Sequence, residues 1–311
     1  MSQTVAYSET LALVEALLGA DLISLEKTRV RTLINSRAHF AYRESDLWDP
    51  FLVTAEERVV NDVDSTQVFV PYVGTTSADT NLTTIKKGDI DTVLRAHDAN
   101  PYAVKSVLEY EVMATSNGIE LPGYKVKFGE EQSIVAWISV SGSVALTLEN
   151  KTDAVIGGSI KVAGLVTNQD ALNAVCNETH TITALNQADA IENGIRAAIG
   201  HSLTETQNGN GTDYTNAKVS FPVVYLTYKR RLTETYGDLA GDTNLPREWH
   251  EYCALGTVAD MLQADGFSEK SAAMEAKAFA ALQRELERVD RNRADQFVNH
   301  RVRTHASNQS R

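Results

Sequence analysis

The chain has 311 residues, 43% of them hydrophobic and 23% charged, with a formal net charge of −12. That apolar content supports a folded core and argues against global disorder. The acidic balance argues against a monomeric reader of DNA sequence, which needs clustered Lys and Arg to neutralise phosphates. Cys176 and Cys253 are too few and too far apart for a disulfide framework or a zinc site, so both read as small buried hydrophobes.

Met1-Ser2-Gln3-Thr4 forms no basic signal region, and no apolar run nears the ~18 residues of a membrane helix. The expectation is a protein that is intracellular at synthesis, with no membrane partner. From Ser8 to about Asn61 the pattern is helical. Ser8 to Leu18 reads as a short apolar helix ended by Gly19. Ser24 is placed to cap the next, in which Leu25, Val30, Leu33, Ile34, Ala38 and Ala41 recur at helical spacing. Arg37 falls inside that apolar arc. It either snorkels or pairs with a local acid, or it meets a partner across a subunit contact. Trp48-Asp49-Pro50 stops the helix, because the residue before a proline is pushed out of the α region.

From about Ser65 to Phe221 the texture becomes β. Gln67 to Val73, Asp91 to Arg95, Tyr124 to Phe128, Ser133 to Val140, Ser143 to Leu148, Ser159 to Val166, Thr179 to Ala184 and Val219 to Tyr228 read as strands. They imply a small barrel or a sandwich. Ala188 to Ile199 reads as a helix, and Thr206 to Thr215, with Asn208-Gly209-Asn210-Gly211, as a mobile loop.

Beyond Pro246 the pattern is helical again. The proline fixes a helix entry, Gly266 ends that helix in the left-handed conformation, and Ser268 caps a second, alanine-rich one. In this second helix Phe279, Leu282, Leu286 and Val289 form one apolar seam. His300 to Arg311 reads as a flexible basic tail. The expected fold class is therefore α+β. A bundle of N- and C-terminal helices carries a β-rich, barrel- or sandwich-like insertion, with divisions at 1–64, 65–225, 226–299 and 300–311.

Catalytic and phosphate-binding signatures are missing. The chain has no P-loop, no dinucleotide-binding glycine turn, no paired-histidine zinc helix and no serine elbow. Asp62 with Asp64, and Asp89 with Asp91, are carboxylate pairs in strands and turns, where such groups usually cap or stay solvated. The expectation is a non-enzyme without cofactor or metal. One charge pattern stands out. At about 100° per residue Lys270, Lys277, Arg284, Arg288 and Arg291 fall in a band about 60° wide, roughly opposite the apolar seam and about 32 Å long. It is either a solvated helix face or a stripe that meets an acidic partner subunit or a nucleic-acid backbone.

With helices at both ends around a β-rich insertion, the stretches Leu245-Pro246-x-x-Trp249, Ala254, Ala259-Asp260-Met261-Leu262, Asp265-Gly266 and Lys270-x-x-Ala273-x-Glu275 resemble the head–tail connector (adaptor or neck) proteins of tailed bacteriophages. Weaker echoes lie at Arg31 to Tyr42, Leu47-Trp48-Asp49-Pro50 and Glu56-Glu57-Arg58. A third lies at Val93 to Pro122, where Asp98-x-x-Pro101 and Gly118-Ile119-x-Leu121-Pro122 stand where such proteins often carry a strand pair. Nothing in the resemblance accounts for Ser143 to Asn216.

The resemblance implies a structural virion protein at the head–tail interface: a homo-oligomeric ring, commonly a dodecamer, docked on the portal protein. It would continue the double-stranded DNA channel and give tail or stopper proteins a platform. Arg37, Lys270, Lys277, Arg284, Arg288 and Arg291 are the candidate contacts to portal, neighbouring subunit or DNA. The competing expectations are another phage structural component, a tail terminator or decoration protein, and a non-enzymatic binding module whose β domain holds a ligand.

Overall fold

The structure is a computed structural model that describes residues 4–64, 67–71, 90–103, 107–114, 118–125, 127–140, 143–148, 158–166, 177–185, 194–198, 216–232, 236 and 245–308. The chain is α+β and divides into two compact units. One is made of Met1–Leu52 with Lys229–Arg311, the other of Val53–Tyr228. The chain leaves the first unit once and returns to it once.

In the first unit, strand β1 (Thr4–Val5) precedes helices α1 (Tyr7–Leu18) and α2 (Ser24–Arg43). Gly19 closes α1 in the left-handed region at φ 69°, where its N–H bonds Glu15 O, as its lack of a Cβ permits. Ser24 is not the cap of α2. Ile23 holds that place: its carbonyl accepts from Lys27 N–H, and its own N–H is taken by the Glu26 carboxylate at 2.9 Å. Along α2 the buried residues are Val30, Ile34, Ala38, Ala41 and Tyr42, whereas Leu25 is 78% exposed. The apolar set expected from spacing thus loses its first member. The helix ends at Arg43, before the proline is reached. Trp48 folds back, fully buried, and its Nε1 donates to Ala41 O at 2.8 Å.

The return to this unit begins at Lys229. Tyr236 is buried there: its hydroxyl lies 2.9 Å from both Thr10 Oγ1 and Val5 O. The Asn35 side chain takes its N–H and donates to its carbonyl, so one amide fixes this backbone from both sides. Strand β16 (Leu245–Pro246) pairs antiparallel with β1 and leads into α3 (Arg247–Ala264). Gly266, at φ 85°, makes the elbow to α4 (Ser268–Asn308). Phe267, not Ser268, caps α4, since the Phe267 carbonyl accepts from Ser271 N–H. No glycine or proline interrupts Ser268–Asn308, and the helix runs on to Asn308. Residues 300–308 are therefore the end of α4 rather than a separate tail, and 309–311 lie outside the described residues. The core of this unit gathers Val14, Ile34, Trp249, Tyr252 and Leu282 from all four helices and Trp48 from the segment after α2. Cys253 is fully buried in it, and burial pushes its thiol well above the ordinary range. Cys176 lies outside the described residues.

The second unit is all β among the described residues. After Pro50 the chain turns into β2 (Leu52–Val59) and β3 (Asn61–Asp64), so residues 53–64 belong to sheets and not to the helical part. In β2, Ala55 sits at φ 50° with its N–H on Thr227 Oγ1, a local kink that no sequence signal marked. Strands β4 (Gln67–Pro71), β5 (Ile90–His97), β6 (Glu109–Tyr110), β7 (Met113–Ala114) and β8 (Gly118–Glu120) follow. Then come β9 (Gln132–Val140), β10 (Ser143–Leu148), β11 (Ser159–Ala163), β12 (Thr179–Leu185), β13 (Gly194–Ala198), β14 (Lys218–Ser220) and β15 (Val223–Arg230). Six of them close a barrel in the order β10-β13-β12-β11-β14-β9, so closure removes their free edges. Ile134, Leu146, Ile160, Val162, Ile182 and Val219 fill its core. The remaining strands form two four-stranded sheets, β2-β15-β5-β6 and β3-β4-β8-β7.

Two sequence readings change here. Residues 194–198, part of the segment Ala188 to Ile199 read as a helix, pair antiparallel with both β10 and β12. Pairing on both sides overrides a local preference of a few tenths of a kcal/mol per residue. Tyr124 to Phe128, read as a strand from its alternation, forms no extended strand among its described residues: Phe128 makes an isolated bridge with Pro222, and Lys127 O accepts Val223 N–H at 3.0 Å. The expected loop at Thr206 to Thr215 and the side chains of Asp62, Asp64 and Asp89 lie outside the described residues.

The end of β5 carries a buried polar step. His97 Nδ1 has no hydrogen-bond partner among the described residues. Asp98 accepts Leu108 N–H at 2.8 Å and the Lys127 ammonium. Burial, aided by Arg95, holds His97 below its ordinary 6.5, against the opposite pull of Glu109 and Asp98. The unfolded chain therefore takes the proton first as pH falls. The stability that His97 contributes is whole above 6.5 and is lost from there down through the lower folded value. Asp98 is depressed below 3.8: burial opposes its charge, but Lys127 and the Leu108 N–H outweigh it, so its contribution is lost at still lower pH. The melting temperature should fall from about pH 7.5 to about pH 5, and His97→Gln should make that fall shallower in a thermal scan.

Candidate interaction surface of the helical unit

α2, α3 and α4 meet at Arg37. Its Nε and Nη2 donate to the two Asp260 oxygens at 2.9 and 2.6 Å, and Nη1 and Nη2 donate to the two Glu275 oxygens at 2.6 and 2.7 Å. Planar guanidinium geometry makes two bidentate pairs possible at once, which a lysine cannot do. Burial opposes the charge, but the bonds to Asp260 and Glu275 outweigh it and hold the guanidinium ionised. Gly256 makes room for this arrangement, since a Cβ there would stand 3.0 Å from Arg37 Cδ and Nε. The acids that engage Arg37 belong to its own chain, the local pairing that is one of the two readings the sequence allowed. Asp260 and Glu275 stand in the stretches that carry the connector resemblance, but nothing in the sequence marked them as the partners of Arg37.

The basic band on α4 is less free than its helical projection implies. α4 buries Ser271, Ala278, Ala281, Leu282 and Val289, while Phe279 is 45% exposed. At about 100° per residue the buried face is thus turned toward the basic band rather than lying opposite it. Small side chains at Ala254, Gly256 and Ala259 on α3 favour that close packing. Arg284 and Arg288 consequently flank α3. Arg284 donates to Glu251 at 2.5 Å, and Arg288 stands 3.6 Å from Glu248 and 3.0 Å from Glu285. The helix itself places no acid in the band before Asp295, but α3 supplies two beside it. Lys270 lies over the Phe267 ring at 5.4 Å, and Lys277 and Arg291 are exposed.

Lys229 is 2% exposed, and nothing in the sequence singled it out. Its ammonium donates to Tyr42 O at 2.9 Å and Asp46 Oδ1 at 3.0 Å and sits 3.9 Å from the Tyr42 ring centroid. It ties the return strand to the end of α2, a structural duty.

Among the described residues no three His, Cys, Asp or Glu side chains converge on a metal-sized site, and no helix is long and apolar enough to cross a membrane. The arrangement offers an exposed, mixed-charge helical surface with aromatic side chains at Phe40 and Phe279, whose rings are 6.0 Å apart. No family model, no curated protein and no solved structure matches the chain.

Proposed function

We propose that this chain is a non-enzymatic subunit of a tailed-phage head–tail connector, a ring that docks on the portal and passes double-stranded DNA to the tail. One observation carries the reading: the residues of the resemblance converge on the joint between the two chain ends. Leu245 pairs with Val5, Pro246 enters α3, Trp249 packs on Trp48 and Phe51, Gly266 makes the elbow, and Asp260 with Glu275 holds Arg37. A compact helical unit closed from both ends, bearing a β-rich insertion, suits a part that transmits position rather than performing chemistry. A cyclic ring needs two different faces per subunit, and several exposed helix faces are present in this unit. A net charge of −12 suits a channel that lets DNA slide.

Mass spectrometry and cryo-electron microscopy of purified virions test this. The expected result is the protein in particles, as a ring beneath the portal, and its absence from particles overturns the reading. The exposed cations of α4 give a second readout. Charge reversal at Arg288 would set like charges beside Glu248 and Glu285, so neutralisation is the cleaner variant. Arg284→Gln, Arg288→Gln and Arg291→Gln together should reduce the tailed fraction of DNA-filled heads severalfold. The surface pairs lost are each worth only about 0–1 kcal/mol, so the melting temperature should move little.

A further inference from the structure

α4 outruns the helix it packs against. Arg284 and Arg288 stand beside Glu251 and Glu248 near the start of α3, which begins at Arg247, yet α4 continues to Asn308. At 1.5 Å per residue the stretch past Arg288 adds about 30 Å. The seam that holds α4 to its unit stops at the same level. Leu282, Leu286 and Val289 continue at helical spacing into Arg293, Gln296, His300 and Arg303, none of them apolar. Charge gathers in this stretch as well. Residues 291–311 hold five arginines, two histidines and one acid, Asp295, a net of +4, whereas the other 290 residues carry −16. Such segregation in an acidic chain is the mark of a nucleic-acid arm. At about 100° per residue the positions of Arg291, Arg293, Arg301 and Arg303 are spread around the whole helix, with no gap wider than about 120°. A helix laid on an acidic protein surface uses cations on one side only. The major groove of B-DNA, about 12 Å wide, admits a helix about 10–12 Å across and sets phosphates along both of its flanks.

We propose that the distal end of α4, residues 291–308, lies in the major groove of double-stranded DNA and binds its phosphates without reading sequence. Release of counterions from those phosphates supplies the affinity, and contacts of this kind hold no fixed register, so the DNA can still slide. The choice of double-stranded DNA as the polyanion rests on the connector reading. The contact itself needs no ring, so either can fail while the other stands.

The test is binding of the full chain to a labelled duplex of random sequence, read by fluorescence anisotropy. Four phosphate contacts imply that raising salt from about 50 to about 200 mM weakens binding about a hundredfold. Arg293→Gln, Arg301→Gln and Arg303→Gln should each weaken it by about two- to fivefold and lower the salt slope by about one. The three together should weaken it at least tenfold. Their melting temperatures should match the wild type, because the apolar seam ends at Val289. Arg29→Gln with Arg43→Gln, two exposed cations of α2, should leave binding unchanged. Four results overturn the proposal: no binding at the lower salt, a triple variant that binds like the wild type, a loss confined to one of the three arginines, or equal affinity for poly-glutamate, which would mark an acidic protein surface as the partner. A chain absent from virions that still binds the duplex in this way supports the arm and fails the connector reading.

Discussion

Arg37→Leu should lower the stability of the helical unit by about 2–3 kcal/mol, near the lower edge of what breaking a buried ion pair costs. The leucine removes four hydrogen bonds at once and leaves Asp260 and Glu275 facing each other with no cation between them. Those carboxylates keep 34% and 30% exposure, so water relieves part of the penalty and the loss stays below that of a sealed site. Arg37→Lys should recover less than half of the loss, because an ammonium cannot span two bidentate carboxylates. Arg37→Met with Asp260→Asn and Glu275→Gln should melt above Arg37→Leu, because the repulsion is gone. Denaturant unfolding of the isolated chain reads all three. If Arg37→Leu unfolds like the wild type, the guanidinium is not a strut within the subunit, and a contact between subunits becomes the better account of it.

Trp249→Ala should cost about 3–5 kcal/mol, the largest single effect expected in the chain. Trp249 is fully buried, stacked on Phe51 at 5.2 Å between ring centroids and edge-on to Trp48 at 5.5 Å, at the point where the two chain ends join. The two tryptophans should respond differently to phenylalanine. Trp249 Nε1 has no acceptor among the described residues, so Trp249→Phe gives up volume but no hydrogen bond. Trp48→Phe also breaks the bond to Ala41 O at the end of α2, and should cost about 1 kcal/mol more than its partner. Equal losses in the two phenylalanine variants would show that the Trp48 bond contributes nothing net.

Local signals set much of the architecture. The change of hydrophobic period from 3.6 to 2 and back placed helices at both ends and strands between, and Gly19 and Gly266 stopped helices where left-handed backbone was required. Helix caps fell one residue from the expected serines, because the carbonyls of Ile23 and Phe267 could accept there and neither helix depended on a hydroxyl. The division at residue 64 came too late, since β2 owes its conformation to β15, far along the chain, rather than to its own Glu-Glu-Arg composition.

What the sequence determined by itself is the set of amphipathic helices, the β texture and the presence of Arg37 within an apolar arc, because each depends on neighbours three or four residues away or on alternation along a strand. Tertiary structure decided the rest. Residues 194–198 became strand only because β10 and β12 flank them, and the barrel closed because strands distant in sequence found each other. The partners of Arg37, and the acids beside Arg284 and Arg288, come from helices whose relative rotation no periodicity within one helix can specify. A helical projection gives the directions of side chains about one axis, and only the packing of small residues at Gly256 and Ala278 fixes how that axis meets the next.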